Sequence, residues 1–300
     1  MSVFSAINLA DLPAPDVVET LDYESILADL KADLVMRHPD LAEALSLESE
    51  PVVKLLEVVA YREIVLRQRV NDAARANMLA FSVGADLENL GALFGVVRGV
   101  IQEADPSAIP PMPAIVEDDT RLRTRIQLAL EGFSTAGPVG AYIFWGLSAS
   151  PDVKDVGVTS PAPGQVEITV LSRIGDGAPS GALIATVASA LNADDVRPLT
   201  DQVFVKAATI TAYSVEASLT LYDGPDSALV VAAANAAVAT YVETNHRLGR
   251  DITVSGLHAA LHQSGVQNVA LAAPAASLVI AADTAAHCTS ITITFGGRDA

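Results

Sequence analysis

Between residues 52 and 66 the chain reads VVKLLEVVAYREIVL, and on a helix its apolar residues Val52, Leu55, Leu56, Val58, Val59, Tyr61, Ile64, Val65 and Leu66 leave no broad polar face. A helix that is apolar on nearly every side must be enclosed by other protein. The helical pattern runs from Ser46 or Ser49 to Phe81, with Gly84 placed as a left-handed cap, a rod on the order of 50 Å long. The rest of the chain offers few long helices to enclose it. One helix over 46–82, buried mainly by partner subunits, is therefore expected.

The same helix carries Arg62, Arg67, Arg69 and Arg75 in a chain whose formal net charge is −18. Glu63 lies four residues before Arg67, Gln68 four before Asp72, and Asp72 three from both Arg69 and Arg75, so most of these charges can pair along the helix. The two competing readings are a self-neutralising polar face and a protein contact made by Arg62, Arg67, Arg69, Asp72 and Arg75. A nucleic-acid site is disfavoured, because 36 acids against 18 basic residues repel phosphate backbones at long range.

The first fifty residues hold eleven acids against Lys31 and Arg37, and read as an extended arm followed by a helix from Asp22 to Arg37. A short helix, ADLENLGALF, starts at an Asp86 cap and stops at Gly95; Pro106, Pro110, Pro111 and Pro113 then mark a non-helical excursion over 104–116. EDDTRLRTRIQLALEGF resumes a helix, with its acids ahead of its arginines.

After STAGPVGAY the period changes from helix to strand. DVKDVGVTS and GQVEITVLS alternate around the turn PAPG and read as a hairpin. The helix SGALIATVASALNADDV, one or two strands in DQVFVKAATITAYSVEASLTLY, the helix DSALVVAAANAAVATYVETNH, a short helix SGLHAALHQSG, and strands at VQNVALAA and TSITITF complete the order. The fold class expected is α+β: a helical, bundle-forming region over 1–140, a middle α+β module over 141–208 and a C-terminal one over 209–300. The strand TSITITF, with Ile291 and Ile293, reads as an edge made for pairing with another copy.

Chemical motifs are sparse. His258 and His262 stand at i and i+4, the spacing of a metal pair, so a metal-dependent hydrolase is the alternative reading; the motif lacks its glutamate and a third ligand, and His246 and His287 lie far off in sequence. SRIGDGAPSG lacks the Gly-Lys-Ser/Thr of a phosphate loop, Ser148 has no nucleophile-elbow frame, and Cys288 has no base partner. Neither an enzyme nor a cofactor is expected. The single cysteine suits a reducing cytosol, the N-terminus has no secretory pattern, and SALVVAAANAAVATYV at 227–242 is too short and alanine-rich for a bilayer span, so no membrane partner is expected.

Three long strings carry more information than any of these motifs: LESEPVVKLLEVVAYREIVLRQRVNDAARANMLAFSVGADLENLGALFGV at 47–96, EDDTRLRTRIQLALEGFSTAGPVGAYIFWGLSAS at 117–150 and SPAPGQVEITVLSRIGDGAP at 160–179. They closely resemble the baseplate assembly protein J family of contractile-tailed phages, and the likeness continues through 191–226. The resemblance implies a structural wedge subunit, in a phage or a phage-tail-like bacteriocin, assembled in the bacterial host cytoplasm. Two copies would join one related partner, protein I, through a shared helix bundle, beside a lysozyme-like wedge protein and the central hub or spike. The C-terminal modules would then bridge neighbouring wedges into a six-fold ring.

Overall fold

The computed structural model describes residues 7–299 apart from 14, 16–18, 20, 135 and 225. The chain divides into two compact units, one made of residues 5–97 and 118–126, the other holding 98–117 and 127–300.

In the first unit, helix α1 (Tyr23–Arg37) starts at Asp22, whose carboxylate accepts from the Glu24 amide. Helix α2 (Pro51–Ala76) begins at a proline, which suits a first helical position whose N–H would go unpaired. Ile26 and Leu27 of α1 close on Ala60 of α2, flanked by Tyr23, Leu30, Leu56 and Ile64. Alanine at that crossing lets the two backbones approach.

The expected single helix over 46–82 is shorter at both ends. A 3-10 turn at Ala44–Ser46 precedes α2, and α2 stops at Ala76, giving about 39 Å at 1.5 Å per residue. The Asn77 side chain donates to the Ala73 carbonyl at 2.8 Å, and the turn beyond is held by Arg123, which donates to the carbonyls of Leu79 and Ser82, both at 2.7 Å. Gly84, with φ +54°, opens helix α3 (Gly84–Ala92) and does not cap α2. Asp86 is not the cap of α3 either: Val83 occupies that position, and the Asp119 carboxylate accepts from the Gly84 amide at 3.1 Å.

Strands β1 (Val100–Gln102) and β2 (Ile115–Val116) pair antiparallel, so the proline-rich excursion is a hairpin, extended by a bridge between Asp105 and Met112. Helix α4 (Asp119–Gly132) follows, with Leu122 and Ile126 buried.

Helix α5 (Val139–Ala149) packs on β3 (Val153–Thr159), which pairs antiparallel with β4 (Gln165–Ser172) around Gly164 at φ +74°. Helix α6 (Gly181–Leu191) then leads to β5 (Gln202–Ala207), parallel to β4, so the middle sheet has the order β3-β4-β5. Val153, Val156, Ile168 and Val170 of this sheet are buried, as are Leu183 and Val187 of α6.

The last sheet is built on β6 (Thr209–Leu221), where Tyr213, Val215, Ala217, Leu219 and Leu221 are buried in strict alternation. Onto that face pack α7 (Ser227–Asn245), through Val230, Ala234 and Val238 at helical spacing, and α8 (Val254–Leu261), through Leu257 and Leu261. Strand β7 (Val266–Ala273) is antiparallel to β6 and β8 (Thr284–Arg298) parallel to it, giving the order β7-β6-β8. The architecture is α+β. At 19 residues, α7 is longer than the apolar stretch in its sequence suggests and is long and apolar enough to cross a membrane by length and composition; here one side of it lies on the sheet.

Candidate assembly surfaces

Helix α1 covers one side of α2 only. Val53, Ala60 and Asn71 are buried, while Leu55 and Leu66 are each 63% exposed and Val58, Tyr61, Val65 and Val70 stand in solvent beside them. Covering a large apolar side chain is worth ~1.5–3 kcal/mol, so this row is a strong driving force for association.

The arginines of α2 divide in two. Arg67 is paired, to Glu63 at 2.7 Å and to Glu19 of the preceding arm at 3.1 Å. Of the pairings expected for Asp72, the one with Gln68 forms, Asp72 accepting from the Gln68 amide at 2.6 Å, and those with Arg69 and Arg75 do not. Among the described residues Arg62, Arg69 and Arg75 therefore have no carboxylate partner. The self-neutralising reading holds for Arg67 alone. Leu21, Ile64, Val65, Gln68, Arg69 and Asp72 line a groove of about 460 Å³, part apolar and part charged.

The arm leading into α1 is fixed by a contact with no sequence signal. Asn71, 3% exposed, accepts from the Glu19 amide at 3.0 Å and donates to the Glu19 carbonyl at 2.9 Å.

The β1–β2 hairpin is a second apolar surface: Ile101, Met112, Ile115 and Val116 are exposed and Ile109 is 100% exposed. Its base is tied by Glu117, which accepts from the Gly99 amide at 2.9 Å and whose carbonyl accepts from Arg98 at 2.7 Å. Proline content flagged the segment as non-helical but not as an apolar ribbon.

The third surface is the outer edge of the last sheet. Strand β8 is an edge, as expected, but Ile291 and Ile293 are not outward contacts. They lie in register beside Val215 and Ala217 of β6, and their side chains pack against the same core. Parallel neighbours in register share a face, and the buried face of β6 decides it. Thr292 and Thr294 take the exposed positions.

The histidine pair does not form a helix-face site. His258 lies on α8, but His262 is the residue that ends it, with φ −82° and ψ 70°, and is exposed. The described residues hold no group of three or more His, Cys, Asp and Glu side chains placed to bind a metal. Burial pushes the Cys288 thiol pKa up, away from the range in which a thiolate nucleophile forms.

Comparison with known proteins assigns the chain to a family. The Baseplate J-like N-terminal domain matches residues 48–105, the Baseplate J-like central domain 134–207, and the Baseplate J-like protein C-terminal domain 213–294. Baseplate protein J of Escherichia phage P2 is 52% identical over 298 residues, covering 98% of this chain and 99% of that protein. The chain belongs to the baseplate J family. Its C-terminal match reaches residue 294, well beyond the stretch to 226 where resemblance is evident by eye. A chain of the six-fold symmetrised cryo-EM structure of the anti-feeding prophage baseplate shares 16% identity at a TM-score of 0.41, covering 59% of this chain and 42% of that one.

As a J-type protein the chain is a structural component of a phage tail baseplate. Membership of this family implies assembly with other baseplate subunits in a multi-protein complex.

Proposed function

We propose that the chain is the main wedge subunit of the baseplate, that α2 enters a helix bundle shared with a second copy and a related wedge protein of the protein I type, and that the last sheet links neighbouring wedges into a ring around the hub. Assembly takes place in the bacterial host cytoplasm, with a lysozyme-like wedge protein and the central spike as further neighbours. The single observation that carries this reading is the outer face of α2, where exposed Leu55, Val58, Tyr61, Leu66 and Val70 alternate with Arg62 and Arg69, which have no carboxylate partner among the described residues. Apolar side chains drive association, and arginines that face partner acids fix its register.

The α2 arginines, Asp72 and the β8 edge are proposed contacts in that arrangement. For β8 the contact is made by backbone groups and the outer-face threonines, because Ile291 and Ile293 are used internally. The role is structural and needs no catalytic group.

Co-expression with the neighbouring baseplate genes tests the reading. Val58→Glu with Leu66→Glu leaves the isolated chain folded by circular dichroism and abolishes co-purification of the related wedge protein. Unchanged recovery of the complex with both charges present would remove α2 from the interface.

A further inference from the structure

The middle and last sheets share a buried apolar cluster of Leu171, Ala208 and Ala285, with Ile210 and Leu248 packed on it, and beside it stands a small set of polar contacts, one of them made by a histidine. His246 ends α7 and is 7% exposed. Its Nδ1 lies 3.1 Å from Lys154 Nζ of β3, and its Nε2 lies 3.2 Å from the carbonyl oxygen of Asp176, in the loop after β4. An ammonium has only donors, so Nδ1 accepts; a carbonyl only accepts, so Nε2 carries the hydrogen. The neutral Nε2–H tautomer thus satisfies both ring nitrogens with groups of the middle sheet.

The loop is shaped for this approach. Gly177 has φ +102°, and a Cβ there would stand 2.9 Å from His246 Nε2 and 2.7 Å from Leu171 Cδ1. Around the ring stand Lys154 from β3, Glu243 from α7, which pairs with Lys154 at 2.6 Å, and His287 from β8, whose ring centroid is 5.4 Å away; Asp176 turns its carboxylate to the Ala178 amide. Elsewhere the two sheets are tied by Asp155 accepting from the Leu248 amide at 3.0 Å and by Lys206 held between Glu167 and Asp283.

We propose that His246 is a protonation-controlled latch between the middle and last sheets, closed when its imidazole is neutral and released when it is charged. Protonation at Nδ1 removes the acceptor that Lys154 uses and sets an imidazolium against an ammonium in a buried place, beside a second imidazole. Burial and the Lys154 charge, with a smaller effect of His287, hold the His246 pKa below the ordinary histidine value, against the opposing pull of Glu243 and the Asp176 carbonyl. For a histidine so depressed, the contribution to stability is complete above the unfolded pKa and is lost as the pH falls through the folded one. The latch therefore opens on acidification and loosens the polar side of the junction, while the internal core of each sheet and the apolar cluster shared by Leu171 and Ala285 stay in place.

The test uses the full chain with Cys288→Ser and spin labels on cysteines placed at the exposed positions Thr186 of α6 and Ala259 of α8. At pH 8 one narrow inter-label distance is expected, and at about pH 5, below the usual histidine range, a second, longer population. His246→Gln, which cannot titrate, keeps the same distribution at both pH values. In the unlabelled chain the His246 imidazole resonance titrates below free histidine, at the midpoint of the widening, and Lys154→Met raises that midpoint. If His246→Gln does not fold, the titration of the native imidazole decides alone. A distance unchanged between pH 8 and 5, equal widening in His246→Gln, or an imidazole that titrates at the free-histidine value would overturn the latch.

Discussion

Asn71 holds Glu19 by both of its backbone groups, 52 positions back along the chain, as one strand residue holds another. Removing the buried Asn71 amide leaves the Glu19 N–H and carbonyl with only water to turn to, so Asn71→Ala is expected to cost ~1–3 kcal/mol for the two lost hydrogen bonds. Thermal unfolding checks this, and faster proteolysis of the arm ahead of α1 should accompany it.

Gly146 of α5 faces Val156 of β3, and a Cβ on it would stand 3.0 and 3.2 Å from the two valine methyls. Gly146→Ala should lower stability by ~1–3 kcal/mol, the usual cost of overfilling a packed core. Pairing it with Val156→Ala should recover part of the loss, which a double-mutant cycle in denaturant would read.

Charges at Ile291 and Ile293 should unfold the last sheet of the isolated chain, because both side chains pack on its core. Thr292→Glu with Thr294→Glu should spare the fold and weaken pairing of copies along β8, measured as loss of ring-sized assemblies by sedimentation. A folded Ile291→Asp variant would count against the inward register.

The proposed boundary between the helical region and the strand-rich half can be set by fragment length. Phe144 packs against Gly132, and Trp145 Nε1 donates to the Gly132 carbonyl at 3.2 Å. A fragment beginning at Gln127 should fold alone, and one beginning at 141 should melt at lower temperature, since it lacks Gly132 and the first two residues of α5.

Much of this architecture is written locally. The start of α1 at Asp22, the PAPG hairpin and the existence of α7 each come from residues a few positions apart and can be read from sequence alone, whereas the row that α7 buries cannot, because alanine and valine run all round that helix. What was not legible depends on distant partners. The end of α2 is fixed by Arg123, more than forty positions away, taking carbonyls that a helix would otherwise use. The inward turn of Ile291 and Ile293 follows from parallel register with β6, which alternation alone does not give. His246 and His287 lie 41 positions apart and meet at 5.4 Å, a proximity that spacing rules for metal pairs do not reach. The arginine face of α2 and the Gln68–Asp72 pair were visible as spacing, whereas the absence of a carboxylate partner for Arg62, Arg69 and Arg75 among the described residues appears only in the structure.

The claim that α2 is completed by other chains is tested most directly by a reconstruction of the assembled baseplate at side-chain resolution. The account expects Leu55 and Leu66, each 63% exposed in the isolated chain, to be buried against helices of other subunits, with carboxylates of those subunits facing Arg62 and Arg69. Leu55 and Leu66 still open to solvent in the assembled particle would contradict it.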